Sequence, residues 1–281
     1  MDWKTDKLKP TQPFFVLNSK HFCQEVYLQQ GISHFYAFEI TDDASVMAVP
    51  DGCIDMVFEY DGKDLQGYVT GTVIKYTERA ITSGKTGEKH VFGIRFMPGH
   101  RPAGLKVRLK DLIDRRVDLL EFPFGSQMLS VMKQERDFYQ RIRVFLQEYT
   151  KLEKTEPKPY GKERLIISIK DMVYESNGVI RISEMAEKTG YSERYINKVF
   201  IEEMGFSPKT FCKIIQFQKA LEFLNYGAPS KMTKAAVDLG YYDQSQFIKD
   251  FKNYCGMTPK QYLKMINEKQ YAARIQNISN V

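Results

Sequence analysis

Over the first hundred residues, apolar positions come in short runs: Phe35–Ile40, Ser45–Val49, Cys53–Tyr60 and His90–Phe96. Turn-forming clusters separate them, Thr41-Asp42-Asp43, Pro50-Asp51-Gly52 and Asp61-Gly62-Lys63. Runs rich in β-branched and aromatic residues between such clusters predict strands, and strands of this length predict a compact antiparallel barrel or sandwich. After Met97-Pro98-Gly99 the spacing becomes helical. Phe138, Ile142, Phe145, Leu146 and Tyr149 fall on one helical face, read as covering the domain's own sheet, with a dimer seam as the alternative use. The stretch LEKTEPKPYGK (Leu152–Lys162) is charged and holds two prolines and a glycine, so it reads as a linker. Everything beyond it reads as helix. The expectation is an α+β chain. A β-rich barrel- or sandwich-like domain with trailing helices spans 1–151, a linker 152–161, and an all-α domain of two helix-turn-helix units joined by a long helix 162–281.

Two stretches of the helical part repeat one another. Ala186 is followed by Gly190, Tyr191, a helix over 192–203, Gly205, Ser207-Pro208 and Phe211; Ala236 is followed by Gly240, Tyr241, a helix over 243–254, Gly256, Thr258-Pro259 and Tyr262. The second turn is one residue longer. Steeply crossed helices favour a small residue at the contact, Ala186 or Ala236, and the tight turn favours a residue free to take positive φ, Gly190 or Gly240. Ser192 and Asp243 are suited to cap the helices that follow. Ile196, Val199 and Phe200 in the first helix, and Phe247, Phe251 and Tyr254 in the second, share a face and are expected to turn inward.

The opposite faces carry the candidate chemistry. The first presents Arg194, Asn197 and Lys198; the second presents Gln244, Ser245, Ile248 and Lys249, with Lys252 beyond them. Arg, Asn, Gln and Lys match the donor and acceptor pattern of base edges in the major groove, and an apolar residue such as Ile248 suits a thymine methyl. A plain solvated face is the competing reading for either helix alone; its occurrence twice at one place in a repeat favours DNA. Pro208–Tyr226 has Phe211, Ile214, Ile215, Leu221 and Leu224 spaced for burial, and reads as a connector that fixes the two helices relative to each other. Entry into successive grooves requires a separation of roughly 34 Å, which a single chain can then provide, as a monomer or within a homodimer.

Charge supports this division. From Tyr160 onward there are 18 Lys+Arg against 13 Asp+Glu, and before it 23 against 22, so the positive excess lies with the helical part. No stretch approaches a membrane span, and MDWKTDKLKPTQPF lacks the apolar core of a secretory signal, which makes the cytoplasm the expected location. Cys23, Cys53, Cys212 and Cys255 form no C-x-x-C pair and read as reduced packing residues. His21, His34, His90 and His100 lack the close spacing of a metal site on one strand, so no metal or cofactor is expected. A DNA-repair enzyme with a fused DNA-binding module is the remote alternative, but Cys23 and Cys53 lack clustered ligands to activate a thiolate.

Residues 162–265 resemble the DNA-binding domain of the AraC/XylS family of bacterial transcription regulators. The motifs are GYSERYINKVFIEEMGFSP (Gly190–Pro208) and GYYDQSQFIKDFKNYCGMTPKQY (Gly240–Tyr262). The resemblance implies base-contacting roles for Arg194, Asn197, Lys198, Gln244, Ser245, Ile248 and Lys249, double-stranded DNA as the partner, and activation of transcription in contact with RNA polymerase. The connector departs from it at Gln216, where relatives commonly carry arginine. Less strongly, VPDGCIDMVF (Val49–Phe58), Val69–Gly71, FGIRFMPG (Phe92–Gly99) and LKDLIDRRVDLLEF (Leu109–Phe122) resemble a sensor-type domain. That implies binding of a small-molecule effector, or a domain that only dimerises or binds a protein partner. Pro50-Asp51-Gly52 and Pro98-Gly99 read as plain turns, and Arg95, Arg101, Arg115 and Arg116 as candidates for an anionic effector.

Overall fold

The computed structural model describes residues 8–62, 64–83, 87–226 and 236–277. A short helix α1 (Pro13–Leu17) leads into strands β1 (Lys20–Val26), β2 (Ile32–Ile40), β3 (Ala44–Ala48), β4 (Asp55–Tyr60), β5 (Leu65–Thr70), β6 (Thr77–Ile81), β7 (Lys89–Phe96) and β8 (Arg116–Asp118). Helices α2 (Gly125–Gln134) and α3 (Phe138–Thr155) complete this part. The helical part comprises α4 (Gly161–Glu175), α5 (Ile182–Thr189), α6 (Glu193–Met204), α7 (Pro208–Tyr226), α8 (Gln244–Cys255), α9 (Pro259–Glu268) and α10 (Tyr271–Arg274). It ends in a two-residue strand β9 (Gln276–Asn277). The chain is α+β, as expected.

One sheet runs β8-β5-β4-β7-β2-β1-β9, and β3 and β6 form a separate two-stranded ribbon. Alternation along the strands gives the large sheet two different faces. Phe35, Met56, Phe58, Phe92, Ile94 and Phe96 point to one side and pack beneath α2 and α3, where Met128, Met132, Phe145 and Tyr149 are fully buried. Phe138, Ile142 and Leu146 join the same cluster half-buried, so the helical face covers the sheet. The other face, with His34, Tyr36, Asp55, Val91 and Arg95, looks towards the β3–β6 ribbon across a cavity. Strand β1 (KHFCQEV) is polar and bulged between Lys20 and Cys23, so it lacks an apolar run long enough to be read as a strand from sequence.

The segment read as a linker is helical through Thr155, and only 156–160 lies between helices. Even that piece is tied down: Glu156 Oε1 accepts from Gly104 N at 2.8 Å, and Arg101 pairs with Glu163 at 2.6 Å and with Glu156 at 3.9 Å. Arg101 is thereby occupied at the junction. Two hydrophobic clusters cross from the β part to the helical part. The first joins Met56 and Phe92 to Ile169, Met185, Ile196 and Phe211; the second joins Phe22 and Tyr36 to Phe217, Leu221, Tyr262 and Tyr271. Helix α7 contributes its first half to one and its second half to the other. Strand β9 closes the contact by pairing in parallel with β1, Cys23 opposite Gln276 and Gln24 opposite Asn277.

Candidate nucleic-acid interface

The first unit is built from α5, a turn and α6. Gly190 ends α5 with φ 73° and its amide bonded to Ala186 O, the left-handed position that the turn requires. The Ser192 hydroxyl then accepts from Tyr195 N at 3.2 Å and starts α6 one residue after the cap. Ile196, Val199, Phe200 and Met204 turn inward, leaving Arg194 and Lys198 exposed and Asn197 half-buried on the outer side. The Asn197 amide donates to Glu193 O at 3.0 Å, and Lys198 lies 3.9 Å from Glu202, an exposed and weak ion pair. Beside them Tyr191 and Tyr195 stack in the open, with ring centres 5.1 Å apart.

The second unit repeats this geometry. Residues 236–238 are helical, Ala236 is fully buried, and Gly240 has φ 77°. Asp243 Oδ1 accepts from Gln246 N at 2.8 Å and begins α8. Phe247, Phe251 and Cys255 are buried; Tyr254, expected inward, is only half-buried against Phe217, because Cys255 occupies the innermost position of the last turn. Ser245 and Lys249 are exposed, and Gln244 and Ile248 half-buried. The inserted residue of the longer turn is Tyr242, which is 91% exposed, while Tyr241 is buried against Phe247. Gln216, the departure in the connector, donates to Leu239 O at 3.0 Å and so ties α7 to the second turn.

Each group of sequence-predicted residues therefore lies on the outer side of its own helix, and the connector lies between the two. The two turns read as plain turns have a larger part. Gly52, with φ 70°, sits against Phe211 and Ile214 of α7, and Gly99 N donates to Gly52 O at 2.7 Å. Lys170 of α4 donates to Gly99 O at 3.0 Å, and the Tyr174 hydroxyl donates to Pro98 O. Burial holds the Lys170 ammonium down to about 8. Deeper in α7, the Gln218 side chain, fully buried, donates to Pro50 O at 2.7 Å and to Thr11 O at 3.4 Å and accepts from Thr11 N at 2.8 Å. The Pro-Asp-Gly and Pro-Gly turns are thus the dock for α4 and α7 of the helical half. Nothing in their local sequence marks them as more than turns, since their partners lie 71 to 168 residues away.

Asp51, in the middle of that dock, also faces the cavity. Arg95 bonds Asp55 twice, at 2.9 and 2.7 Å, and lies 3.4 Å from Asp51. Tyr36 donates to Asp55 at 3.1 Å and Gln12 to Asp51 at 2.8 Å. Burial raises the Asp51 carboxyl above its ordinary range against the pull of Arg95, and burial, helped by Arg95, lowers His34 to about 3, so its ring is neutral. The cavity has a volume of about 820 Å³. Its wall includes Phe22, Tyr36 and Phe38, stacked in succession, and its mouth includes Arg115 and Arg116. One side is closed by Glu222, Phe223 and Tyr226, from the last turns of α7. Of the four arginines considered from sequence, Arg95, Arg115 and Arg116 line this space and Arg101 does not. Among the described residues no helix is long and apolar enough to cross a membrane.

Residues 185–265 match a family model described as a helix-turn-helix domain, and residues 25–118 match one described as a domain of unknown function. An HTH-type transcriptional regulator of Haemophilus influenzae is 30% identical over 86 residues, which is 31% of this chain and 28% of that protein. The Msm operon regulatory protein of Streptococcus mutans is 21% identical over 131 residues, 46% of each chain. A solved structure titled "probable AraC family transcriptional regulator", from Rhodopseudomonas palustris, is 28% identical with a TM-score of 0.33, covering 36% of this chain and 96% of its own. The chain thus spans less than half the length of these two curated relatives. Two capped helices, α6 and α8, on one connector and the family match together define residues 185–265 as a helix-turn-helix domain. This helix-turn-helix domain follows an N-terminal β domain, part of which, residues 25–118, matches the domain of unknown function.

Proposed function

We propose that the chain is a sequence-specific transcription regulator that reads a bipartite site, with α6 and α8 in successive major grooves. Arg194, Asn197 and Lys198 contact bases in one groove, and Gln244, Ser245, Ile248 and Lys249 in the other. The observation that carries this reading is the pairing of two outward polar faces on helices capped alike and held by one buried connector. The faces differ in chemistry, so the site is asymmetric within one protomer. Activation through contact with RNA polymerase follows the AraC resemblance, as does action in the cytoplasm. The chain acts as two units, 1–151 and 162–281, without enzymatic chemistry of its own.

A small-molecule effector is the proposed input. The cavity is of a size that holds such molecules, and its wall is completed by the end of α7. An occupant would touch Phe223 and Tyr226 directly, and so would act on the helix that sets the spacing of α6 and α8. Selection of DNA sites from a random pool, followed by hydroxyl-radical footprinting, tests the DNA reading. Two protected segments about one helical turn apart on one face are expected, with binding that weakens steeply in salt. A single protected segment, or binding indifferent to salt, would overturn it.

A further inference from the structure

The arginines that suggested an anionic effector are committed to the protein's own groups. Arg95 bonds Asp55 twice and faces Asp51. At the mouth of the cavity Arg79 holds Asp114 at 2.6 Å. Arg116 holds Glu59 at 2.8 Å, with its guanidinium over the Tyr68 ring, 3.6 Å from the centre. Arg115 is exposed and donates to Asp111 O at 3.3 Å. From α7, Glu222 pairs with Lys219 at 3.0 Å. Five basic side chains line the cavity against six acidic ones, and burial works against the charge on Asp51, so the wall carries no positive excess. An anion would have to draw an arginine from its carboxylate and leave that carboxylate uncompensated, which is costly wherever the pair is buried.

What the cavity does offer is flat apolar surface. Phe22 of β1 and Tyr36 and Phe38 of β2 are parallel to within 12°, with ring centres 5.9–6.2 Å apart. Gly93 of β7 stands opposite Tyr36, and a Cβ there would collide with the Tyr36 ring, so the glycine lets that ring lie down over the sheet. Val57 and Val91 continue this wall, and the β3–β6 ribbon brings Ala48, Ala80 and Ile81 to the same space. The His34 ring, neutral and buried, lines the cavity; its Nδ1 lies 3.0 Å from Ser33 Oγ, and its Nε2 makes no hydrogen bond among the described residues. We propose that the cavity takes an uncharged, largely apolar ligand built on flat rings, which lies against Phe22, Tyr36 and Phe38 and meets His34 Nε2 with a polar atom. This rests on the effector reading of the cavity and gives that effector a chemical class. Flat rings gain from offset or edge contact with aromatic side chains beyond the area they bury. A ligand without charge leaves every ion pair of the wall in place.

The test is fluorescence titration of the full chain with two probes that share one ring system, uncharged N-phenyl-1-naphthylamine and anionic 8-anilinonaphthalene-1-sulfonate. The uncharged probe is expected to bind at one equivalent, and the sulfonate to bind more weakly by ~10-fold or more, because its charge meets no excess of cations in the wall. Val57→Trp and Ile81→Trp, both at half-buried wall positions, fill the space and should each weaken the uncharged probe by ~10-fold or more, with circular dichroism unchanged. Arg115→Ala should leave the affinity for both probes as it was. Sulfonate bound as tightly as the uncharged probe, neither probe bound, or uncharged-probe binding unchanged in both tryptophan variants would each overturn the ligand class. Probe binding as expected, with a DNA affinity that the probe does not alter, would support the class and count only against the effector role.

Discussion

Gln218 is the point at which the connector helix is bolted to the β part, and its removal has a consequence that can be worked out. Its Nε2 bond to Pro50 O is fully buried, whereas its bonds to Thr11 N and O are only partly so. Gln218→Ala leaves the Pro50 carbonyl without a partner at about 1–3 kcal/mol, and Thr11 N with water as a partial substitute. A loss of about 2–4 kcal/mol of unfolding free energy is therefore expected in urea titration of the full chain. Gln218→Glu separates hydrogen bonding from volume. At pH 7 it keeps the acceptor for Thr11 N but turns a carboxylate towards Pro50 O, so it should be at least as destabilising as alanine. Protonated, the same carboxyl donates to Pro50 O, which raises its pKa in the folded state. Relative to wild type at each pH, the deficit should shrink as pH falls towards 5. A Gln218→Ala loss below about 1 kcal/mol, or a Gln218→Glu variant as stable as wild type at pH 7, would refute the bolt.

Other expectations concern the DNA face, the turns and acid. Arg194→Ala or Gln244→Ala should relax base preference at one or two positions, each at a cost of about 1–3 kcal/mol in binding measured by competition, and Lys252→Ala should weaken all sequences alike; unchanged preference in an Arg194→Ala, Gln244→Ala double variant would refute the helix-face assignment. Gly240→Ala should destabilise more than Gly190→Ala in thermal melts. Both positions are left-handed, but a Cβ on Gly240 would meet Val179 Cγ2 at 2.2 Å, while Gly190 faces open space; equal losses would count against the packing of the second turn on Val179. Burial lowers His34 and His100 to about 3. The unfolded chain takes up these protons near pH 6.5 and the fold does not, so stability should fall as pH drops from 6.5 to 5. The slope should approach about 1.4 kcal/mol per pH unit for each ring, and His34→Gln should remove one ring's share. Denaturation at pH 7, 6 and 5 that gave His34→Gln the wild-type slope would mean that the buried ring does charge.

The amino-acid sequence by itself settled what depends on neighbours within a turn or two. Apolar residues at helical spacing placed α6, α7 and α8, with α6 and α8 beginning one residue later than the capping residues Ser192 and Asp243, because a cap stands outside the helix that it starts. Glycines at 190 and 240 had to be left-handed, and are. With the inward face fixed, the outward residues followed, and the candidate DNA face was legible before any fold was known. What depends on pairing across the chain was not legible. The polar strand β1 is held by its neighbours rather than by its own pattern, and β9 exists only because β1 offers it an edge. The first residues of the supposed linker became the last turn of α3, and the residue after it, Glu156, is held by Arg101 and Gly104 from some fifty residues away. Pro50-Asp51-Gly52 became a dock for α7 because hydrophobic burial and buried hydrogen bonds act without regard to distance along the chain. Tertiary structure alone therefore decided that the two halves share their cores, and that the cavity in one is walled in part by the end of α7, the helix between α6 and α8 in the other.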